Sequence, residues 1–271
     1  MKLGVGILAF SGLEFLKPSL QQIRRFVYRI TVVYSPVSYL GDKAAPFVLP
    51  LLEQLKKEGW IDWIIFSDIR PVDKINHCQG AAQYQYNLAK KDCLKNNCTH
   101  FLAMDSDELF EGKQFQAVLA EVEKEALTIC HLYDYVGRPV YRARGVSKLC
   151  VPFIHRIECP LGWKEYPVLI DASRMVCSDT YRILPKERIV MHHMTAVRYN
   201  EREFWRKFQG HACFAGKSQK EKEEYVQKYL NFQGGEGYET VLDIFGIETY
   251  WSKEFALFYK GFFDGNTAKG S

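Results

Sequence analysis

Short apolar runs alternate along the chain with longer stretches whose apolar positions recur every three or four residues. Leu3 to Phe10 is an almost unbroken apolar run stopped by Ser11-Gly12, as a strand buried on both faces would be. Across 14–28, Phe15, Leu16, Leu20, Ile23, Phe26 and Val27 fall at helical spacing. Arg29 to Tyr34 is short and β-branched and ends at Ser35-Pro36. Pro46 to Glu58 predicts a helix with Leu49, Leu52 and Leu55 on one face and Gly59 as its C-cap. Asp62 to Phe66 predicts a strand, and Cys78 to Lys95 a helix packing through Ala81, Ala82, Tyr86, Leu88 and Ala89. His100 to Met104 predicts a fourth strand, Gln114 to Glu125 a helix and Ala126 to Leu132 a strand.

Such β-α alternation with short connections implies an α/β fold, with a mostly parallel central sheet and helices on both faces. Ligands of such sheets lie beyond the carboxyl ends of the strands. Those ends carry Phe10-Ser11, Tyr34-Ser35, Ser67-Asp68 and Asp105-Ser106-Asp107. The remainder is less regular. Val151 to Ile157, Val168 to Ile170 and Arg188 to His192 read as short strands, and Glu201 to Phe214 as a helix. Residues 217–228 read as a charged, solvated helix or loop. Gly234, Gly235 and Gly237 mark a turn, and from Glu248 the chain is aromatic before a fraying GNTAKGS end. The pattern divides the chain into a βα half over 1–130, a completing half over 131–215 and a helical aromatic extension over 216–271.

With 271 residues, 47% hydrophobic and 25% charged, the composition excludes a disordered or collagen-like chain. The net charge of +4 does not by itself imply nucleic-acid binding. No run reaches the roughly 18 apolar residues of a membrane span. Leu3 to Phe10 lacks a following small-residue cleavage site, so it reads as a strand rather than a signal core, and the expected location is cytoplasmic. The eight cysteines include no C-x-x-C pair, which argues against structural zinc and for reduced, mostly buried thiols.

The most informative string is HFLAMDSDELF, His100 to Phe110. Two carboxylates two residues apart on an extended segment point the same way. Just past a buried strand, Asp105 and Asp107 would share one concave space and need a counter-charge. A divalent cation supplies it, and hard oxygen donors favour Mg²⁺ or Mn²⁺.

Gln83, Tyr86 and Asn87 on a helix leading into HFLAMDSDELF resemble nucleotide-sugar glycosyltransferases of the Rossmann-like GT-A fold, most closely a family-2-like group. The resemblance covers about residues 3–215 and is specific in 76–112 and 188–211. It implies a metal-dependent hexosyl- or pentosyltransferase using a nucleotide-sugar, expected to be UDP-linked, with a saccharide, a lipid-linked saccharide or a modified DNA base as acceptor. It implies Asp105 near the ribose, Asp107 on the metal and diphosphate, and Glu108 as a supporting or catalytic carboxylate. Asp105, Asp107 and a late histidine from IVMHHMTAVR would hold the metal. His193 is preferred, with His192 left open because the two alternate in direction along a strand. Phe10, Ser35, Gln83, Asn87, Ser106 and Arg198 are expected around the donor, and Asp68 in place of the acidic base-reading residue missing from VVYSPVSY.

Arg198, Arg202 and Arg206 recur every fourth residue, a basic stripe if helical, with Lys207 alongside. Arg202 and Arg206 read more readily as a solvated face, and His211 is a weaker cleft candidate. Asp134 is named as general base, with Glu165 and Asp171 as alternatives. Two rival readings remain. A nucleotidyltransferase would normally carry a glycine-rich loop with a lysine after the first strand, which AFSGLEFLK matches poorly. A non-catalytic nucleotide-binding module would bind without turnover.

Overall fold

The structure is a computed structural model that describes residues 1–69, 75–210 and 217–260, the side chains of 75–78, 209 and 210 excepted. Its first half is built on four parallel strands. β1 (Leu3–Ala9) lies between β2 (Arg29–Tyr34) and β4 (His100–Asp105), and β3 (Trp63–Phe66) extends the sheet beyond β2. The chain steps outward from β1 to β3 and then returns to the far side of β1. The spatial order is therefore β3-β2-β1-β4, and its direction reverses between β1 and β4.

Alternation along each strand separates two hydrophobic layers. Leu102 and Met104 face a layer completed by α1 (Leu16–Ile23), α2 (Val48–Lys57) and α4 (Gly112–Val122). Phe101 and Ala103 face the opposite layer, covered by Tyr86, Ala89 and Cys93 of α3 (Ile75–Lys95). The α/β class with helices on both faces is thus the one observed.

The stretch read as one helix over 14–28 is three pieces: a 3₁₀ turn at Leu13–Phe15, α1, and a second 3₁₀ turn at Arg24–Phe26. Pro18 is the cause. It has no N–H for the Glu14 carbonyl, and its ring crowds that position, so Pro18 is tolerated only in the first turn of a helix that starts later. The Glu14 carbonyl instead accepts from Trp251 Nε1 at 3.1 Å.

Past Asp105 the chain makes a turn at Ser106-Asp107 and enters a short strand, β5 (Glu108–Phe110), that the sequence pattern did not suggest. β6 (Leu127–Gly137) and β8 (Leu149–Arg156) continue the sheet, with β8 antiparallel between β4 and β6. β11 (Val190–Val197) pairs antiparallel with β5 and parallel with β6, which sets His193 opposite Glu108 on one side and Asp134 on the other. Short strands β7 (Tyr141–Ala143), β9 (Leu169–Ile170), β10 (Arg182–Ile183) and β12 (Tyr238–Thr240) decorate this half.

α5 (Glu201–Gly210) packs on α6 (Gln219–Leu230) through Phe204, Phe208 and Val226. The charged 217–228 run is therefore helical, started by a Ser218–Glu221 capping box. The aromatic tail forms α7 (Ile247–Tyr250) and the wider turn Trp251–Phe255, and Tyr250 and Phe255 join the same core as β1 and β2. No helix among the described residues is long and apolar enough to cross a membrane. The described cysteines Cys93, Cys98, Cys130, Cys150, Cys159 and Cys177 are free thiols.

Close contact between β1 and α3 depends on glycine. A Cβ at Gly6 would lie 2.5 Å from the Phe101 ring and 2.7 Å from Ala89 Cβ. Overpacking of this kind costs about 1–3 kcal/mol. Gly6→Ala should lower the urea midpoint accordingly, and unchanged stability would show that the two layers have slack there.

Candidate active site

The reversal between β1 and β4 opens a crevice at their carboxyl ends, where open α/β sheets bind ligands. A cavity of about 400 Å³ lies there. The ends of three strands line it: Phe10 and Ser11 after β1, Ser35 after β2, and Asp105, Ser106, Asp107 and Glu108 around the end of β4. Val37, Tyr39, Ile69, Ala82, Gln85, Asp171, Arg174, His193 and Lys207 also line it.

Gly12 makes the tight approach possible. Its φ of +73° is left-handed, and a Cβ there would stand 3.0 Å from Asp107 Cβ. Ser106 Oγ donates to the Ser11 carbonyl, tying the two strand ends together.

The carboxylates are divided among different cations. Glu108 is buried, takes a two-pronged bond from the Arg174 guanidinium and accepts the Asp105 N–H at 2.8 Å through Oε2. Arg174 also gives Nε to Asp171 at 3.0 Å. Asp107 Oδ2 accepts from Arg198 Nη2 at 2.7 Å and from Lys207 Nζ at 2.6 Å. Asp105 Oδ1 accepts from the Tyr86 hydroxyl at 2.7 Å, and its Oδ2 lies 3.8 Å from Arg174. The counter-charge that the clustered acids demand is therefore already supplied by the chain.

The charge states follow. Burial and the Glu108 charge, opposed by Arg174, push the Asp105 pKa up to about 6. Burial would also raise Asp107, but Lys207, Arg198 and His193 hold it well below the carboxylate range. Burial works against a charged His193, yet its pairing with Asp134 and the Asp107 charge outweigh that and raise its pKa. Burial and the Arg198 charge lower Lys207 against the pull of Asp107.

Of the two adjacent histidines, His193 faces the cavity. Its Nε2 is 3.9 Å from Asp107 Oδ1, and its Nδ1 is 3.3 Å from Asp134 Oδ1. His192 is buried beside Tyr133, Tyr135 and Phe245, with Nδ1 2.8 Å from the Tyr135 hydroxyl, and burial pushes its pKa down to about 3.

Other expected residues lie outside the cavity lining. Gln83 donates Nε2 to the Ala172 carbonyl at 2.8 Å, pinning the 171–174 segment to α3. Asn87 is half-buried and Asp68 is exposed, and neither lines the cavity. Arg198 has a fully buried side chain that holds Asp107 from behind. It precedes α5, so it cannot share a helical stripe with Arg202 and Arg206. Arg206 pairs with Glu203. Asp134 reaches the site only through His193, Glu165 is exposed, and Asp171 lines the cavity. His211 lies outside the described residues.

The sequence pattern missed Arg174. A signal was present: Asp171 and Arg174 are the only charges in the otherwise uncharged VLIDASRMVC run.

No protein-family description and no curated protein matches the chain. Solved structures do. S. aureus TarS is 14% identical, the match covering 85% of this chain and 43% of that one, at a TM-score of 0.45. A shorter TarS in complex with UDP-GlcNAc is 12% identical, covering 85% of this chain and 72% of that one, at a TM-score of 0.39. GalNAc-T7 with UDP, GalNAc and Mn²⁺ is 8% identical, covering 96% of this chain and 57% of that one, at a TM-score of 0.42. The chain spans less than half of the full TarS chain.

Two measurements probe the ion network. Breaking a buried pair on one side costs about 3–5 kcal/mol. Arg174→Met should lose that much in urea unfolding, and adding Glu108→Gln should recover part of it. A loss in the double variant equal to the sum of the Arg174→Met and Glu108→Gln losses would mean that the pair is not coupled.

Glu14 is fully buried, and its Oε1 is 4.0 Å from Arg198 Nε. Burial, opposed by Arg198 and reinforced by Glu203, raises its pKa from 4.5 to about 7. The folded state therefore keeps a proton that the unfolded chain releases. The resulting stability is fully present below pH 4.5 and is lost as pH rises through about 7. Glu14→Gln should be more stable than the parent at pH 8, by about 3 kcal/mol, and nearly equal to it near pH 4.5. A gap that does not change with pH contradicts this.

Proposed function

We propose that the protein transfers a sugar from a nucleotide-sugar to an acceptor hydroxyl. The observation that carries this is the polar cavity at the β1–β4 reversal, where Asp105 and Asp107 stand on either side of Ser106 above the strand ends. A cavity of about 400 Å³ lined by both apolar and charged side chains suits a ligand that joins a flat base to a diphosphate. The base lies against Val37, Tyr39, Ile69 and Gln85, the ribose at Asp105, and the diphosphate and sugar toward Asp107, His193 and Asp171. Ser35 and Phe10 border the nucleoside, and Ser106 fixes the turn between the two acids. Glu108 supports Asp105 through its backbone N–H.

Among the described residues, no group of three or more His, Cys, Asp and Glu is arranged to hold an ion by protein atoms alone. The donor set fits one completed by substrate. Asp107 Oδ1 and His193 Nε2 face each other across 3.9 Å, and neither atom has a hydrogen bond among the described residues. Asp134 beside Nδ1 keeps the other ring nitrogen available, as a carboxylate behind a ligating histidine does. Mn²⁺ and Mg²⁺ are commonly held by one or two protein groups plus phosphate oxygens. Asp107 and His193 would hold such an ion, which when bound neutralises charge on the departing diphosphate. Asp105 spends its oxygens on Tyr86 and Arg174 and is assigned to the ribose. Asp134 orients His193, and Asp171 is the carboxylate on the cavity wall nearest the role of acceptor base.

The test is release of UDP from a panel of UDP-sugars, with Mn²⁺ and with chelator. Turnover should rise with Mn²⁺ and fall at least about 100-fold in Asp107→Asn. Wild-type turnover in that variant counts against the assignment. Release of pyrophosphate from a nucleoside triphosphate and a sugar phosphate would instead establish nucleotidyl transfer.

A further inference from the structure

We infer that Lys207 is a built-in cation of the diphosphate subsite, holding a nucleoside diphosphate even when no divalent ion is present. This rests on the donor site proposed above and adds a binding group to it.

α5 is anchored by Phe204 and Phe208 against Val226 of α6. The anchor holds the helix that carries Lys207, whose side chain is only 10% exposed. Its Nζ emerges on the cavity wall, 2.6 Å from Asp107 Oδ2.

The same oxygen already has Arg198 at 2.7 Å. Arg198 is completely buried and does not line the cavity. It alone neutralises Asp107 from behind. Lys207 is therefore a second positive charge on one carboxylate, and it is the one that faces open space.

An ammonium has three N–H donors. Asp107 takes one, and the described residues offer Lys207 no other hydrogen-bond acceptor. Two donors are left toward the cavity, where non-bridging phosphate oxygens accept strongly.

The other cations on the wall are already engaged. Arg174 spends its fork on Glu108 and its Nε on Asp171. His193 is a cation only when protonated, and its free Nε2 is the atom assigned above to the divalent ion. Lys207 is thus the described cavity cation with donors to spare.

The experiment is calorimetric titration with UDP in chelator and in Mn²⁺, on the wild type, Lys207→Met, Lys207→Gln and Lys207→Arg. Thermal unfolding of each variant checks its fold. Wild type should bind UDP in chelator. Lys207→Met and Lys207→Gln should weaken that binding about 10- to 100-fold, as loss of a charged hydrogen bond does. Lys207→Arg should retain most of it, and Mn²⁺ should narrow the gap. Lys207→Gln keeps a polar head beside Asp107, so it decides the matter if the methionine variant fails to fold. Wild-type binding that vanishes in chelator overturns the inference, as do folded neutral variants that bind like wild type in chelator. Absence of UDP binding under every condition overturns the donor site itself.

Discussion

Burying Asp107 and Glu108 side by side where the parallel strands end is the constraint around which the rest of the site is built. A carboxylate withdrawn from water is tolerated only with a partner. Each acid obtains its own arginine from far along the chain: Arg174 for Glu108, and Arg198 for Asp107. Neither arginine comes from the β-α units that make the parallel sheet. The two ion pairs therefore fasten the irregular second half onto the first, at the point where the order of strands reverses. β11 serves the same end by hydrogen bonds, since its pairing with β5 carries His193 to the site and leads directly to Arg198.

This arrangement separates groups that build the site from groups that face it. Arg198, Tyr86 and Gln83 hold other residues in place from behind the wall. Asp105, Asp107, His193 and Lys207 present atoms to the cavity. A change in the first group acts through fold and position, while one in the second alters what the cavity can bind. The buried Glu14, within ion-pair range of Arg198, lies one layer deeper, so a residue on the β1 side influences the charge beneath Asp107.

The parallel half was legible because its signals are local. Apolar runs, helical spacing and polar punctuation place β1 to β4 and their helices, and the rule for open sheets then points to Asp105 and Asp107. The second half was less legible because long-range pairing decides it. β5 is three residues long and exists through β11. Arg198 continued a four-residue period in sequence, but the helix begins only at Glu201, so the period had no helix to lie on. Arg174 sits in a segment held by Gln83 and Glu108 rather than by periodicity. The histidine pair was ambiguous by strand alternation alone. Apolar aromatic neighbours around His192, and carboxylates around His193, distinguish the two.

Charge balance also bears on how a donor would enter. With Glu108 matched by Arg174 and Asp107 by Arg198, the wall requires no ion for its own stability. A divalent cation arriving alone would meet Arg198 and Lys207 beside its carboxylate, both repulsive at short range in an enclosed site. A diphosphate arriving alone would meet Asp105 and Asp107 but also the spare donors of Lys207. The two charges together cancel most of both penalties. In the proposed function, this makes joint entry of ion and diphosphate the favourable route, with Lys207 lowering the barrier for the anion to come first.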